Sequence, residues 1–156
     1  MKELLEYRVK LLERFRAAAQ EFRTACEEAG DPAAKVDGEW TVQQIAVHTR
    51  DVSRFVYGAR VHQTILEENP SFTNFDADKW MLEHYDPQES LSTILSEFTT
   101  YVEELCVMLE SQPREAWSRV SRHEIVGGGL TMQLWVERNL AHIEEHLRAL
   151  KKMKNK

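Results

Sequence analysis

The chain has 156 residues, 42% of them hydrophobic and 29% charged, with a formal net charge of −6. That balance is expected of a single globular domain over 1–156, long enough to bury about two-thirds of the surface its unfolded form exposes. It argues against nucleic acid as a partner, since phosphate binding needs a basic face, and no run approaches the roughly 18 apolar residues of a membrane span.

The chain opens on Met1-Lys2-Glu3-Leu4-Leu5-Glu6, with acidic residues where a secretory signal would keep an apolar core, so a cytoplasmic location is expected. Leu4, Leu5, Leu11, Leu12, Phe15, Ala18, Ala19, Phe22 and Cys26 then recur at three- and four-residue steps, predicting a first helix that Gly30-Asp31-Pro32 ends. Thr41 followed by Gln44 fits a capping box and starts a second helix. Its apolar stripe is Ile45, His48, Val52, Phe55, Val56, Ala59, Ile65 and Leu66, and Asn69-Pro70 closes it. A loop with Phe72, Phe75, Asp76, Asp78 and Trp80 follows, with a short helical turn near Lys79–His84.

Asp86-Pro87-Gln88-Glu89 predicts the start of a third helix, with an acidic cap, proline at the first position and glutamate at the third. The stripe Leu91, Ile94, Leu95, Phe98, Tyr101, Val102, Leu105, Met108 and Leu109 carries it to Gln112-Pro113. Residues 114–130 read as a connection with a helical turn at Arg114–Val120, and Gly127-Gly128-Gly129 as a flexible lead-in to the last helix. That helix, capped by Thr131, carries Leu134, Trp135, His142, Ile143, His146, Leu147 and Leu150. The run Lys151, Lys152, Lys154, Lys156 suits the negative end of its dipole. Glycine and proline fall between the periodic segments, and no strand alternation interrupts them. The expected fold is all-α, a four-helix bundle. Cys26 and Cys106 lie in helical patterns and are expected as buried or half-buried free thiols.

Chemistry concentrates in the histidines. His142 and His146, four apart, project from one helix face and can close on one metal ion. A lone histidine on an apolar stripe is ordinarily a hydrogen-bonded core residue. Here Trp135, Asn139, His142 and His146 share an inward arc, and His48 sits between Ile45 and Val52 on the second helix's inward stripe. Burying three imidazoles without partners is costly, and a divalent metal satisfies all of them together. His62 falls on the His48 face but about 21 Å along the axis, while His84 and His123 fall in connections where exposure is the ordinary reading. His142-Ile143-Glu144-Glu145-His146 also matches the H-x-x-E-H pattern of one metallopeptidase class, which needs a further ligand from upstream. No histidine has a glutamate three residues before it, which excludes a di-iron carboxylate bundle. Trp135, two turns before His142, is the tryptophan placed to line a site; Asp51 and Glu145 are candidate bases whose ordinary reading is a solvated helix face.

The stretch Trp40-Thr41-Val42-Gln43-Gln44-Ile45-Ala46-Val47-His48, paired with His142-Ile143-Glu144-Glu145-His146-Leu147, resembles the DinB/YfiT-like superfamily over nearly the whole chain. The resemblance implies a four-helix bundle binding one divalent metal, nickel or zinc, through His48, His142 and His146. It also implies metal-dependent hydrolysis, or S-transfer from a low-molecular-weight thiol such as bacillithiol, mycothiol or glutathione, to a small-molecule substrate. A homodimer is an open alternative to a monomer. The reading from a different class is a non-catalytic, metal-binding or stress-associated interaction bundle. An open cavity at the metal favours the enzyme, and a sealed site favours the bundle.

Overall fold

The computed structural model describes residues 1–38 and 40–154. Helix α1 (Lys2–Glu28) buries Leu11, Leu12, Phe15, Ala18, Ala19, Phe22 and Cys26 of the predicted stripe, while Leu4 and Leu5 at its start are exposed. A two-stranded antiparallel ribbon, β1 (Lys35–Asp37) with β2 (Trp40–Thr41), leads into the second long helix. Thr41 and Gln44 form the expected capping box there, each side chain accepting from the other's backbone N–H.

This second helix is not uniform. It runs as α2 (Val42–Asp51), loosens into a π-helical stretch over Val52–Tyr57, and resumes as α3 (Gly58–Leu66). The π stretch absorbs about one extra residue and rotates everything after it. That rotation corrects the predicted stripe: Phe55 and Leu66 are exposed, and Arg60, Val61 and Thr64 are buried instead. His62, expected on the His48 face, is exposed for the same reason. Gly58, inside the helix and not in a connection, is required at the end of the π stretch. A Cβ there would lie 1.9 Å from Tyr101 Oη and 2.5 Å from the Ser53 carbonyl oxygen.

Strand β3 (Ser71–Phe72) and helix α4 (Ala77–His84) follow, the helix capped by Asp76 accepting from Lys79 N–H at 3.1 Å. Helix α5 (Leu91–Glu110) begins later than predicted. Asp86 spends its carboxylate on the Gln88 N–H in a local turn, and Ser90 caps the helix through Thr93 N–H. After a 3₁₀ turn at Arg114–Ser118 comes a hairpin, β4 (Val120–His123) and β5 (Gly127–Thr131), with β3 parallel to β4. The triple glycine is thus a strand and not a flexible lead-in; Gly127 and Gly129 have φ of 107° and 71°, a region side chains disfavour. Helix α6 (Met132–Lys154) closes the chain, with Thr131 Oγ1 accepting from Leu134 N–H. Of the C-terminal cations, Lys151 reaches Glu21 at 3.7 Å, and Lys156 lies outside the described residues.

The four long helices form the bundle. Helix α1 packs on α5 and α6, α2 on α5, and α3 on α6. Sequence neighbours α1 and α2 therefore sit largely across a diagonal, unlike a hairpin series. Arg14 clamps Glu144 through two bonds of 2.7 and 2.8 Å and Arg16 grips Glu103, tying α1 to both neighbours. Cys26 and Cys106 are buried free thiols, as expected, each pushed up to about 12 by burial. Among the described residues no helix is long and apolar enough to cross a membrane.

Candidate metal centre

His48 comes from α2, one turn before the π stretch, and His142 and His146 from successive turns of α6. The two helices are locked beside them by a buried link. Ser53 Oγ–H donates to Asn139 Oδ1 at 2.9 Å, and Asn139 Nδ2–H reaches the Ser53 carbonyl at 3.5 Å. The structure thus brings all three predicted histidines together. Nε2 of His142 lies 3.0 Å from Nε2 of His48 and 3.0 Å from Nε2 of His146. The rings stand nearly on edge to one another, with interplanar angles of 68°, 86° and 88°, so their nitrogens and not their faces converge.

The donor set fits a cation. Ligands about 2.0–2.1 Å from zinc, at angles between octahedral and tetrahedral, are separated by roughly 2.9–3.4 Å. Hydrogen bonding fits less well. His142 Nε2 can carry at most one proton to satisfy two neighbours, and its buried Nδ1 has no hydrogen-bond partner. Protonation offers no escape. Burial first, then the neighbouring imidazoles, hold His48 down at about 3 and His142 at about 2, and burial lowers His146. All three rings present neutral lone pairs near pH 7. Among the described residues this is the group of histidine, cysteine and carboxylate donors close enough to share one ion.

Two cavities reach the histidines. One, about 240 Å³, touches His48 and His142 and is walled by Tyr57, Phe75 and Trp135. The other, about 610 Å³, opens at His146 beside Asp78, Glu145, Arg148 and Lys152. Trp135 is buried, as its position suggested, with its indole N–H donated to Ser121 Oγ at 2.8 Å.

Asp51 is not the solvated residue its sequence position suggests. It is 5% exposed, and its two oxygens accept from Arg50 Nε at 3.0 Å and from Trp80 Nε1 at 2.9 Å. It pins α4 to α2 and lines neither cavity at the centre. Glu145 is exposed, as expected, and faces the larger cavity.

Sequence reasoning missed two residues. His123, expected exposed, is 7% exposed and lines the smaller cavity. Its Nδ1 accepts the backbone N–H groups of Ile125 and Val126, closing the hairpin turn. Arg60 lines the same cavity, 9% exposed. Its signal was a charged residue twelve positions after His48, about 120° away on a regular helix, which the π stretch reduces to about 20°.

Fold and site together define a four-helix bundle in which a buried His48 and the half-buried His142 and His146 converge from two adjacent helices. The chain belongs to the DinB superfamily, whose family model matches residues 11–150. Its fold is similar to that of YfiT from Bacillus subtilis, described as a probable metal-dependent hydrolase with an unusual four-helix bundle topology. The TM-score is 0.84 at 19% identity, covering 96% of this chain and 87% of that one. No curated protein matches the chain.

Proposed function

We propose that this protein is a metal-dependent enzyme that activates a nucleophile, a low-molecular-weight thiol or water, for attack on a small molecule. The observation that carries the reading is the open approach to three convergent neutral imidazoles. His48, His142 and His146 would hold one divalent ion, nickel or zinc, while two cavities give substrate a path to it. The similarity to YfiT, a probable metal-dependent hydrolase, supports a metal-dependent reaction and favours hydrolysis.

Three neutral ligands leave the ion's double charge undiminished, so it would lower the pKa of a bound water or thiol toward neutrality. The chain's own residues do the rest. Trp40 packs on His48 at 4.8 Å and Tyr57 on His142 at 5.9 Å, keeping the imidazoles desolvated and in place. Glu145 and Asp78 put carboxylates in the cavity at His146, where they can receive a proton from the nucleophile. We place the protein in a reducing cytoplasm, where Cys26 and Cys106 remain thiols, and leave a homodimer as the alternative to a monomer.

The test is the metal content of tag-free protein, beside a variant carrying His142→Ala and His146→Ala. About one equivalent per chain, lost in the variant, supports the site, and thiol-transfer and hydrolysis assays on the loaded protein then divide the two chemistries. Protein that holds no metal and takes up none when offered nickel or zinc would overturn it. The interaction-bundle reading would then stand in its place.

A further inference from the structure

The smaller cavity carries an unneutralised positive charge. Arg60 is buried, and its guanidinium lies over Trp135 at 4.7 Å, with Phe72 and Tyr57 at 5.7 and 5.8 Å. One of its N–H groups donates to the Thr73 carbonyl at 3.1 Å. Among the described residues it forms no ion pair, and no acidic residue lines this cavity. Buried charges are ordinarily paired, and an arginine cannot escape by losing its proton near pH 7.

Two further groups aggravate the imbalance. Arg138, exposed and also without an ion pair among the described residues, lines the cavity one turn before His142 and acts on Arg60 as a like charge. His123 has both backbone donors of the hairpin turn on its Nδ1, so the neutral ring carries its proton on Nε2 and is a donor. Protonating Nδ1 would break both bonds. Two guanidinium groups and an imidazole N–H therefore share a pocket of about 240 Å³ with aromatic walls and no acceptor of matching charge. The larger cavity differs: there Arg148 and Lys152 are offset by Asp78 and Glu145.

We propose that the cavity bordering His48 and His142 is a receptor for the anionic group of the substrate, a carboxylate on a small and partly flat molecule. Arg60 is its charge anchor, Arg138 its second cation, and Tyr57, Phe75 and Trp135 its apolar walls. The π stretch is what makes this work, because it turns Arg60 onto the face that carries His48. The substrate role rests on the metal-enzyme reading; the anion receptor itself does not.

The probe is benzoate, with benzamide as its neutral counterpart, titrated calorimetrically into zinc-treated and chelator-treated full-length protein. Benzoate is expected to bind at least tenfold tighter than benzamide in both preparations. Arg60→Met should lower benzoate affinity at least tenfold and Arg138→Gln about threefold, with Arg122→Gln, an exposed arginine outside the cavity, unchanged. Circular dichroism checks the fold of Arg60→Met, and Arg138→Gln carries the test if that variant does not fold. Equal affinity for benzoate and benzamide, or benzoate affinity unaffected by either substitution, would overturn the proposal. Benzoate binding that requires zinc and ignores Arg60 overturns the receptor and leaves the metal reading standing. Arg60-dependent binding in protein that takes up no zinc does the reverse.

Discussion

At Asp51 a carboxylate three residues after a metal-binding candidate invites a catalytic reading, and its bonds argue otherwise. Both oxygens are occupied, one by Arg50 and one by the Trp80 indole N–H. Arg50 also holds Glu89 at 2.7 Å, so one buried node joins α2, α4 and the approach to α5. Replacing Asp51 by alanine leaves the half-buried Trp80 indole N–H without its acceptor and removes one of the arginine's acceptors. The expected cost is about 2–4 kcal/mol, measured by urea denaturation, with tryptophan emission shifted by the release of Trp80. Metal stoichiometry of Asp51→Ala should stay at the native value. A variant of native stability that loses metal would instead place Asp51 at the centre. His142 is the opposite case: its Nδ1 has no partner, so nothing but convergence with His48 and His146 selects its tautomer.

Among the elements, the second helix shows how far a sequence can be read. The capping box at Thr41 and Gln44, the α1 stripe from Leu11 onward and the α6 pairing of His142 with His146 are local patterns, and each appears as the sequence predicts. His48 was legible because it precedes the π stretch. Arg60, His62 and Phe55 were not, because a single absorbed residue re-phases the helix without any mark in the hydrophobic pattern. His123 was hidden for a different reason: its burial depends on strand β4 pairing with β3, where its partner Phe72 lies 51 residues earlier, and such pairing has no local signature. Gly58 is the position where the re-phasing can be tested. Its N–H completes the π turn on the Ser53 carbonyl, whose oxygen also receives Asn139, and Tyr101 fills the space a side chain would need. Gly58→Ala must displace Tyr101 or straighten the π stretch, against a propensity gain of about 1 kcal/mol for alanine in a helix. The expected net loss is about 1–3 kcal/mol. If the helix re-phases, the Arg60-dependent benzoate affinity falls with it. A variant as stable as the native protein with benzoate affinity intact would mean that the π stretch is not held by this contact.

Taken as a whole, the molecule keeps three neutral imidazoles inside a bundle that a histidine in an unfolded chain would leave to titrate near pH 6.5. This fixes the sign of the pH dependence of the metal-free protein. Burial holds His48 at about 3 and His142 at about 2, with His146 also lowered, so below pH 6.5 the unfolded chain binds protons that the folded one refuses. Stability therefore rises with pH through this window, is flat above it as far as these groups are concerned, and is lost as pH falls below 6.5. The slope is up to about 1.4 kcal/mol per pH unit for each of His48 and His142, or about 3 for the pair, with His146 acting in the same direction. Urea denaturation of chelator-treated protein at pH 8, 7, 6 and 5 should show a nearly constant midpoint between 8 and 7 and a steep fall between 6 and 5. Replacing His48 by glutamine removes one titrating group and should make that fall shallower by up to about 1.4 kcal/mol per pH unit. Zinc offered before denaturation binds the folded state alone and raises stability, by about 2.7 kcal/mol at a hundredfold excess over its dissociation constant. The gain should shrink as protons compete for the same nitrogens. A midpoint unchanged from pH 8 to pH 5, with and without zinc, would mean that the imidazoles titrate freely, and neither the buried centre nor its metal would survive that result.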